Sequence, residues 1–266
     1  SVGLPLSLGG WSTSSSATYS FTQQDPVLNV DPNHDPLDPP PTAPRRIRSA
    51  SVAMSLSLGA TESFYDSIST EKGWLASAGL RLRRPELGGD DEAVELTYSG
   101  RTYFDVWARH VFALKVNGAI GRGGDGRRAF YALAPPPERP VLLDAFDGIY
   151  FGTNFLRGFP TGTVSGDRFL LLSAEYRIPI WDVFKGIDAV PVFLRRFKLS
   201  VFTDWAQAGN SPLTWTEERF ARSVGAEFVS QATLGWRLPL NIRLGYAHGF
   251  KAAGETQVYF FLGNWF

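Results

Sequence analysis

Between Ile47 and Gly59 the chain alternates: Ala50, Val52, Met54, Leu56 and Leu58 share one side, and Ser49, Ser51, Ala53, Ser55 and Ser57 the other. A repeat of two is the side-chain period of a strand, so the pattern fixes the local conformation and sorts the residues into an apolar and a polar face. It recurs along the chain. Ala17, Tyr19 and Phe21 oppose Ser16, Thr18, Ser20 and Thr22, and Ala76, Ala78, Leu80 and Leu82 oppose Ser77, Gly79, Arg81 and Arg83. Val94, Leu96 and Tyr98 oppose Glu95, Thr97, Ser99 and Arg101, and Phe112, Leu114 and Val116 oppose Arg109, Lys115 and Asn117. The helical period of 3.6 occurs almost nowhere.

Length separates the two all-β architectures that alternate in this way. Strands of soluble sandwiches usually run about five or six residues. These run about ten or more, the length a tilted strand needs to cross a bilayer, and their polar faces carry charge on strand after strand, as the wall of a wet lumen does. Backbone groups in lipid must all be paired, which a closed barrel achieves. No stretch approaches the roughly 18 consecutive apolar residues of a transmembrane helix. The reading is all-β: a transmembrane antiparallel β-barrel domain over residues 1–266, with strands near 2–11, 13–23, 46–59, 73–84, 92–104, 107–120, 167–179, 195–206, 222–238, 241–250 and 257–266.

Single-chain bacterial barrels have an even number of strands with both ends on the periplasmic side. Eleven or twelve strands are therefore expected here, with one missed or lying upstream of Ser1. The opening "SVGLPLSLGGWSTSSS" lacks the basic start and continuous apolar run of a secretory leader, which predicts that an exported form is processed or begins further upstream. Residues 24–45 and 121–166 are too long and too rich in Pro and Gly for tight turns, and are predicted to be extracellular loops. "GRGGDGRR", Gly121 to Arg128, has no Gly-Lys-Ser/Thr ending and reads as part of the second loop rather than a phosphate cradle. His248 falls on the apolar parity of its strand.

Composition narrows the chemistry. Lys plus Arg and Asp plus Glu both number 26, so no basic footprint argues for nucleic acid. With no Cys and three His, thiolate metal sites, disulfides and cysteine nucleophiles are excluded and a zinc enzyme is disfavoured. No cofactor, metal site or catalytic residue is expected, and the chain does not read as an enzyme. Aromatic residues make up 14%, in keeping with rings at a membrane interface.

The C-terminal strand "QVYFFLGNWF" puts Val258, Phe260, Leu262 and Phe266 on one face beside Gly263 and ends on a ring. It resembles the recognition signal of bacterial outer-membrane barrels, although Asn264 stands where that pattern favours an apolar residue. "LRGF", Leu156 to Phe159, followed by "GDRFLLLSAEYRIPI", "LSVFTDWAQAG", "RSVGAEF" and "RLPLNIRLGYAHGF", resembles the BamA/TamA-type outer-membrane assembly-factor superfamily, the surface-antigen barrels related to two-partner secretion transporters. The resemblance covers about Tyr150 to Phe266 by motif, and the first half by strand pattern.

The resemblance implies the C-terminal part of a 16-strand barrel in the bacterial outer membrane. It implies insertion or assembly of outer-membrane proteins, or translocation of polypeptide, by a seam in which Gln257 to Phe266 is one edge. Partners would be outer-membrane lipid, client polypeptides and periplasmic or lipoprotein subunits. No POTRA domain is read in these residues, which keeps open a barrel subunit that inserts nothing and anchors, or forms a pore for, a periplasmic domain or complex. It also implies that the loop carrying Arg157, Gly158 and Phe159 folds into the lumen, where Arg157 pairs with Glu175 and Asp204. Alternation puts Glu175 on a face with Arg177, and Asp204 on a face with Lys198 and Ser200, so both carboxylates are expected inside. Gly158 would let the backbone turn beside the wall, and Phe159 would be an apolar plug.

Overall fold

A computed structural model describes residues 2–8, 11–24, 47–62, 70, 72–123, 131–133, 155–160, 162–187, 190–235, 238–251 and 253–262. The strands are β1 (Val2–Leu8), β2 (Trp11–Gln24), β3 (Ile47–Glu62), β4 (Lys72–Arg83), β5 (Ala93–Trp107), β6 (His110–Gly123), β7 (Tyr131–Leu133), β8 (Val164–Gly166), β9 (Arg168–Ile187), β10 (Val190–Gly209), β11 (Ala221–Leu234), β12 (Leu238–Phe250) and β13 (Thr256–Leu262). Eleven of them form one sheet in the order β1-β2-β3-β4-β5-β6-β9-β10-β11-β12-β13, and β7 and β8 form a separate hairpin. Every pairing is antiparallel. Among the described residues no helix is long and apolar enough to cross a membrane. Most of the loop at 24–45 and much of the loop at 121–166 lie outside the described residues.

The sheet is inside-out. Met54, Leu56, Leu96, Val201, Leu244 and Tyr246 are exposed on its outer face, while Lys115, Glu175, Arg177, Lys198, Asp204, Glu227 and Arg243 are buried on its inner one. Water would drive the opposite arrangement, and an apolar surface this continuous calls for an apolar solvent. Rings mark the short-turn end of the outer face. Trp11 meets Trp74 edge-on at 5.4 Å, Phe104 lies 6.4 Å from Phe112, and Phe197 stacks on Phe228 at 5.3 Å and lies 6.4 Å from Trp181. Amphipathic rings collect where hydrocarbon gives way to headgroups. His248 is on the outer face near the long-loop end, against Phe250.

The inner face combines hydroxyls and charge. Across β2 to β5 it carries hydroxyls paired between strands, Ser16 with Ser55, Ser20 with Ser51 and Ser77 with Ser99, each at 2.7 Å, and on β4 and β5 the ion pairs of Arg81 and Arg83 with Glu95. Across β6 and β9 to β12 it carries buried charge, and there the segment leading into β9 lies on it. Leu133, Leu156 and Phe159 pack with Ala119, Phe169, Leu171 and Ala206 in the largest apolar cluster.

The β9–β10 hairpin is longer than sequence periodicity predicts. β6 pairs with β9 only as far as Arg177, beyond which β9 continues to Ile187 with β10 as its one neighbour. Register shifts between Leu194 and Arg196 and between Phe197 and Lys198 interrupt the alternation there, and Phe184 has a positive φ of 43°. Bulges of this kind hide a strand from a test for strict period two.

Placing a charge on each face checks the assignment. Leu56→Arg is expected to lower unfolding free energy in lipid vesicles by about 2–4 kcal/mol near the bilayer midplane. Ser55→Arg, one residue away on the inner face, should change it by less than about 1 kcal/mol in urea titrations.

Candidate functional site

β10 runs Lys198, Ser200, Phe202, Asp204 along its inner face, so one strand offers a ring and a carboxylate side by side. Antiparallel pairing sets Ser200 opposite Glu227 of β11 and Phe202 opposite Gly225. The absent side chain at Gly225 is required there, since a Cβ would fall 2.4 Å from the Phe202 ring. A flat aromatic floor is thus flanked by two carboxylates from neighbouring strands.

Arg157 comes down on this floor. Its guanidinium carbon lies 3.3 Å from the centroid of the Phe202 ring. Its Nε and Nη2 donate to Asp204 Oδ2 and Oδ1, each at 2.7 Å, as a two-pronged fork, and its Nη1 donates to Glu227 Oε1 at 2.8 Å. The Arg157 side chain is 3% exposed and both carboxylates 0%, so the charges interact with little screening. Burial alone would lower the pKa of this loop residue, but Asp204 and Glu227 outweigh it and hold the guanidinium well above its ordinary value. Glu227 is further satisfied by Arg243 Nη1 and by the Tyr259 hydroxyl, each donating at 2.6 Å.

The backbone around Arg157 depends on glycine. Gly158 has φ 79°, and a Cβ there would sit 2.7 Å from Gly249 N, while one on Gly249 would sit 2.0 Å from Gly158 O. The loop therefore touches the end of β12 backbone to backbone, an approach that a side chain on either residue would block. Phe159 is buried in the apolar cluster beside Leu156.

The second carboxylate expected for Arg157 was Glu175, and the geometry corrects this: Glu227 takes that place. Glu175 is fully buried on the inner face but lies opposite Phe202 on the β9 side of β10, where it accepts from Arg177 Nε at 3.1 Å. The loop enters from the β12–β13 side and aims its guanidinium at β11 instead. Val258 and Phe260 are exposed on the outer face at 71% and 52%. Leu262 ends β13 opposite Ile242, whereas Gly263 and Phe266 lie outside the described residues. Glu227, Arg243, Gln257 and Tyr259 join the site without having been singled out; the inner parity of Ser223, Gly225 and Glu227 in "RSVGAEF" is the signal that marks Glu227. Among the described residues no group of three or more His, Asp or Glu side chains is placed to hold a metal ion.

An antiparallel sheet with apolar side chains exposed on one face and charged ones buried on the other is the arrangement of an outer-membrane barrel wall. The Omp85 superfamily domain matches residues 1–266, and the chain belongs to this superfamily. It is a membrane protein of the outer membrane, from a family of structural and transport barrels rather than enzymes. Among solved structures it is similar to BamA from Haemophilus ducreyi lacking POTRA domains 1-3, with a TM-score of 0.58 and 18% identity over 96% of this chain and 51% of that one. That likeness shows the fold, and the chain spans about half the length of that structure. No curated protein matches the chain.

Two substitutions read the site directly. Arg157→Ala leaves two buried carboxylates without their shared cation and is expected to cost about 3–5 kcal/mol in unfolding free energy. Gly158→Ala keeps the charges but blocks the approach to Gly249. Limited proteolysis in vesicles should then cut near residues 150–160 in the variant under conditions that leave the wild type intact.

Proposed function

We propose that this chain is the barrel domain of a BamA/TamA-like protein that inserts or assembles outer-membrane proteins or translocates polypeptide. Its eleven strands belong to the C-terminal part of a 16-strand barrel whose lumen is lined by the inner face. The long loops are extracellular and the short turns periplasmic. Arg157, Gly158, Phe159, Asp204 and Glu227 lock the loop inside the lumen. The observation that carries the reading is the buried fork of Arg157 on Asp204 and Glu227, which holds a loop within the lumen while β13 lies at an end of the sheet.

A strand at a sheet end presents unpaired backbone donors and acceptors, which an incoming strand can use as a template. Insertion by that route needs neither cofactor nor covalent chemistry. The outer face supplies the lipid contact, and Val258 and Phe260 place apolar side chains on the lipid side of the seam. Local thinning of the bilayer beside a short apolar belt would lower the barrier further. Client polypeptides and periplasmic or lipoprotein subunits are the partners this reading requires.

One observation favours the second reading, an anchor or pore for a periplasmic domain. The β9–β10 hairpin continues past the end of β6 and exposes Phe184 on the periplasmic side, where a partner would meet it. Insertion of a radiolabelled barrel substrate into liposomes by the full-length protein separates the two. Folded wild type is expected to accelerate insertion several-fold, and folded Arg157→Ala to lose most of that gain. No acceleration by the folded wild type with suitable clients and chaperones present would leave the anchor reading.

A further inference from the structure

β13 is seven residues long and pairs with β12 over Thr256 to Leu262. Its alternation divides two tasks. Val258 and Phe260 face outward, while Gln257 binds the Arg-Gly-Phe loop and Tyr259 binds Glu227, the carboxylate that holds Arg157. Gln257 Oε1 accepts from Gly158 N at 2.9 Å, and Gln257 Nε2 donates to Phe159 O at 3.2 Å. The Glu255 N–H, just before the strand, donates to Gly158 O at 3.0 Å. Tyr259 donates to Glu227 Oε1, the same oxygen that accepts from Arg157 Nη1.

The loop is therefore held by two bodies at once: the wall, through Asp204 and Glu227, and the terminal strand of the sheet, directly through Glu255 and Gln257 and, by way of Glu227, through Tyr259. If β13 leaves, Gly158 N, Gly158 O and Phe159 O lose their partners, and Glu227 loses one of its donors. If the loop leaves, Gln257 loses Gly158 N and Phe159 O, and Tyr259 keeps Glu227 but loses the Phe155 ring that packs on its cluster with Phe202 and Ala247, while the Glu227 it holds loses Arg157. Each buried polar atom stripped of its partner costs free energy, so either departure weakens the other body's hold. Coupling of this kind is reciprocal by thermodynamic necessity.

We propose that Gln257 and Tyr259 are positioning residues that make the loop lock and the closing strand one cooperative unit, so that release of the Arg157 loop loosens β13 and opening of β13 loosens the loop. This rests on the reading of β13 as the seam strand. It adds a condition to it: the edge that would template a client is held in its ordered, strand-paired form while Arg157 is seated, and loses that order when the loop is undocked.

Hydrogen exchange read by mass spectrometry on the full-length protein in phospholipid vesicles, without client, tests the coupling. Arg157→Ala is expected to speed exchange about tenfold in peptides covering β12 and β13, and to leave β5 unchanged. Tyr259→Phe, which removes a single oxygen, and Gln257→Ala should speed exchange about tenfold in the peptide covering residues 155–160. A loop freed by Arg157→Ala with β13 protection intact would overturn the proposal. So would a Tyr259→Phe change confined to β13, because inward side chains that merely fill space leave the loop unmoved. Should Arg157→Ala fail to fold, Tyr259→Phe carries the test alone. Because no client is present, failure here is distinct from failure of the insertion assay.

Discussion

A guanidinium cannot shed its charge at accessible pH, so a buried arginine must be met by carboxylates or it does not stay buried. Arg157 imposes that condition on the half of the sheet around it. Asp204 and Glu227 come from adjacent strands and converge on one point because register sets Ser200 beside Glu227. Phe202 lies flat beneath the guanidinium because Gly225 leaves room for its ring. Gly158 and Gly249 let the loop backbone reach the wall, and Phe159 and Leu156 seal the apolar cluster next to it. Each feature alone would be an ordinary piece of a β protein; together they fix one loop in one place.

The lock sits where charge on the inner wall is most deeply buried. Glu175, Asp204 and Glu227 lie on β9 to β11, where the loop lies, whereas β2 to β5 carry hydroxyl pairs beside the more exposed ion pairs of Arg81 and Arg83 with Glu95. Charged groups hold a defined partner in a defined geometry, whereas a hydroxyl surface pairs with itself and with water without demanding a particular occupant. The outer face makes no such distinction, because lipid asks only for apolar surface and for rings at its boundaries.

Much of this was legible in the sequence, since a membrane barrel writes its two faces into alternate residues. The eleven strands of the large sheet fall near their predicted places. The inward direction of Asp204 and Glu175 follows from the same parity. Pairing was less legible, because alternation says which face a residue takes and not which neighbour it meets. Glu175 and Glu227 are both inward glutamates beside β10, one on each side of it, and only the loop's contacts with Gly249 and β13 choose between them. The extension of the β9–β10 hairpin was hidden by its bulges and by Pro179, Gly186 and Pro191, which read as turn signals. Gln257 and Tyr259 went unnoticed because attention to a terminal strand falls on its apolar face, and their partners are backbone atoms and a carboxylate far away in sequence.

The most direct measurement is a double-mutant cycle on unfolding free energy in lipid, built from Arg157→Ala, Glu227→Gln and the two combined. If Arg157 and Glu227 form the buried pair on which the loop depends, the two losses will fall short of adding, with an interaction energy of about 1–3 kcal/mol. Losses that add to within about 0.5 kcal/mol would mean that the two side chains do not meet in the folded barrel, and that something other than this fork holds the loop.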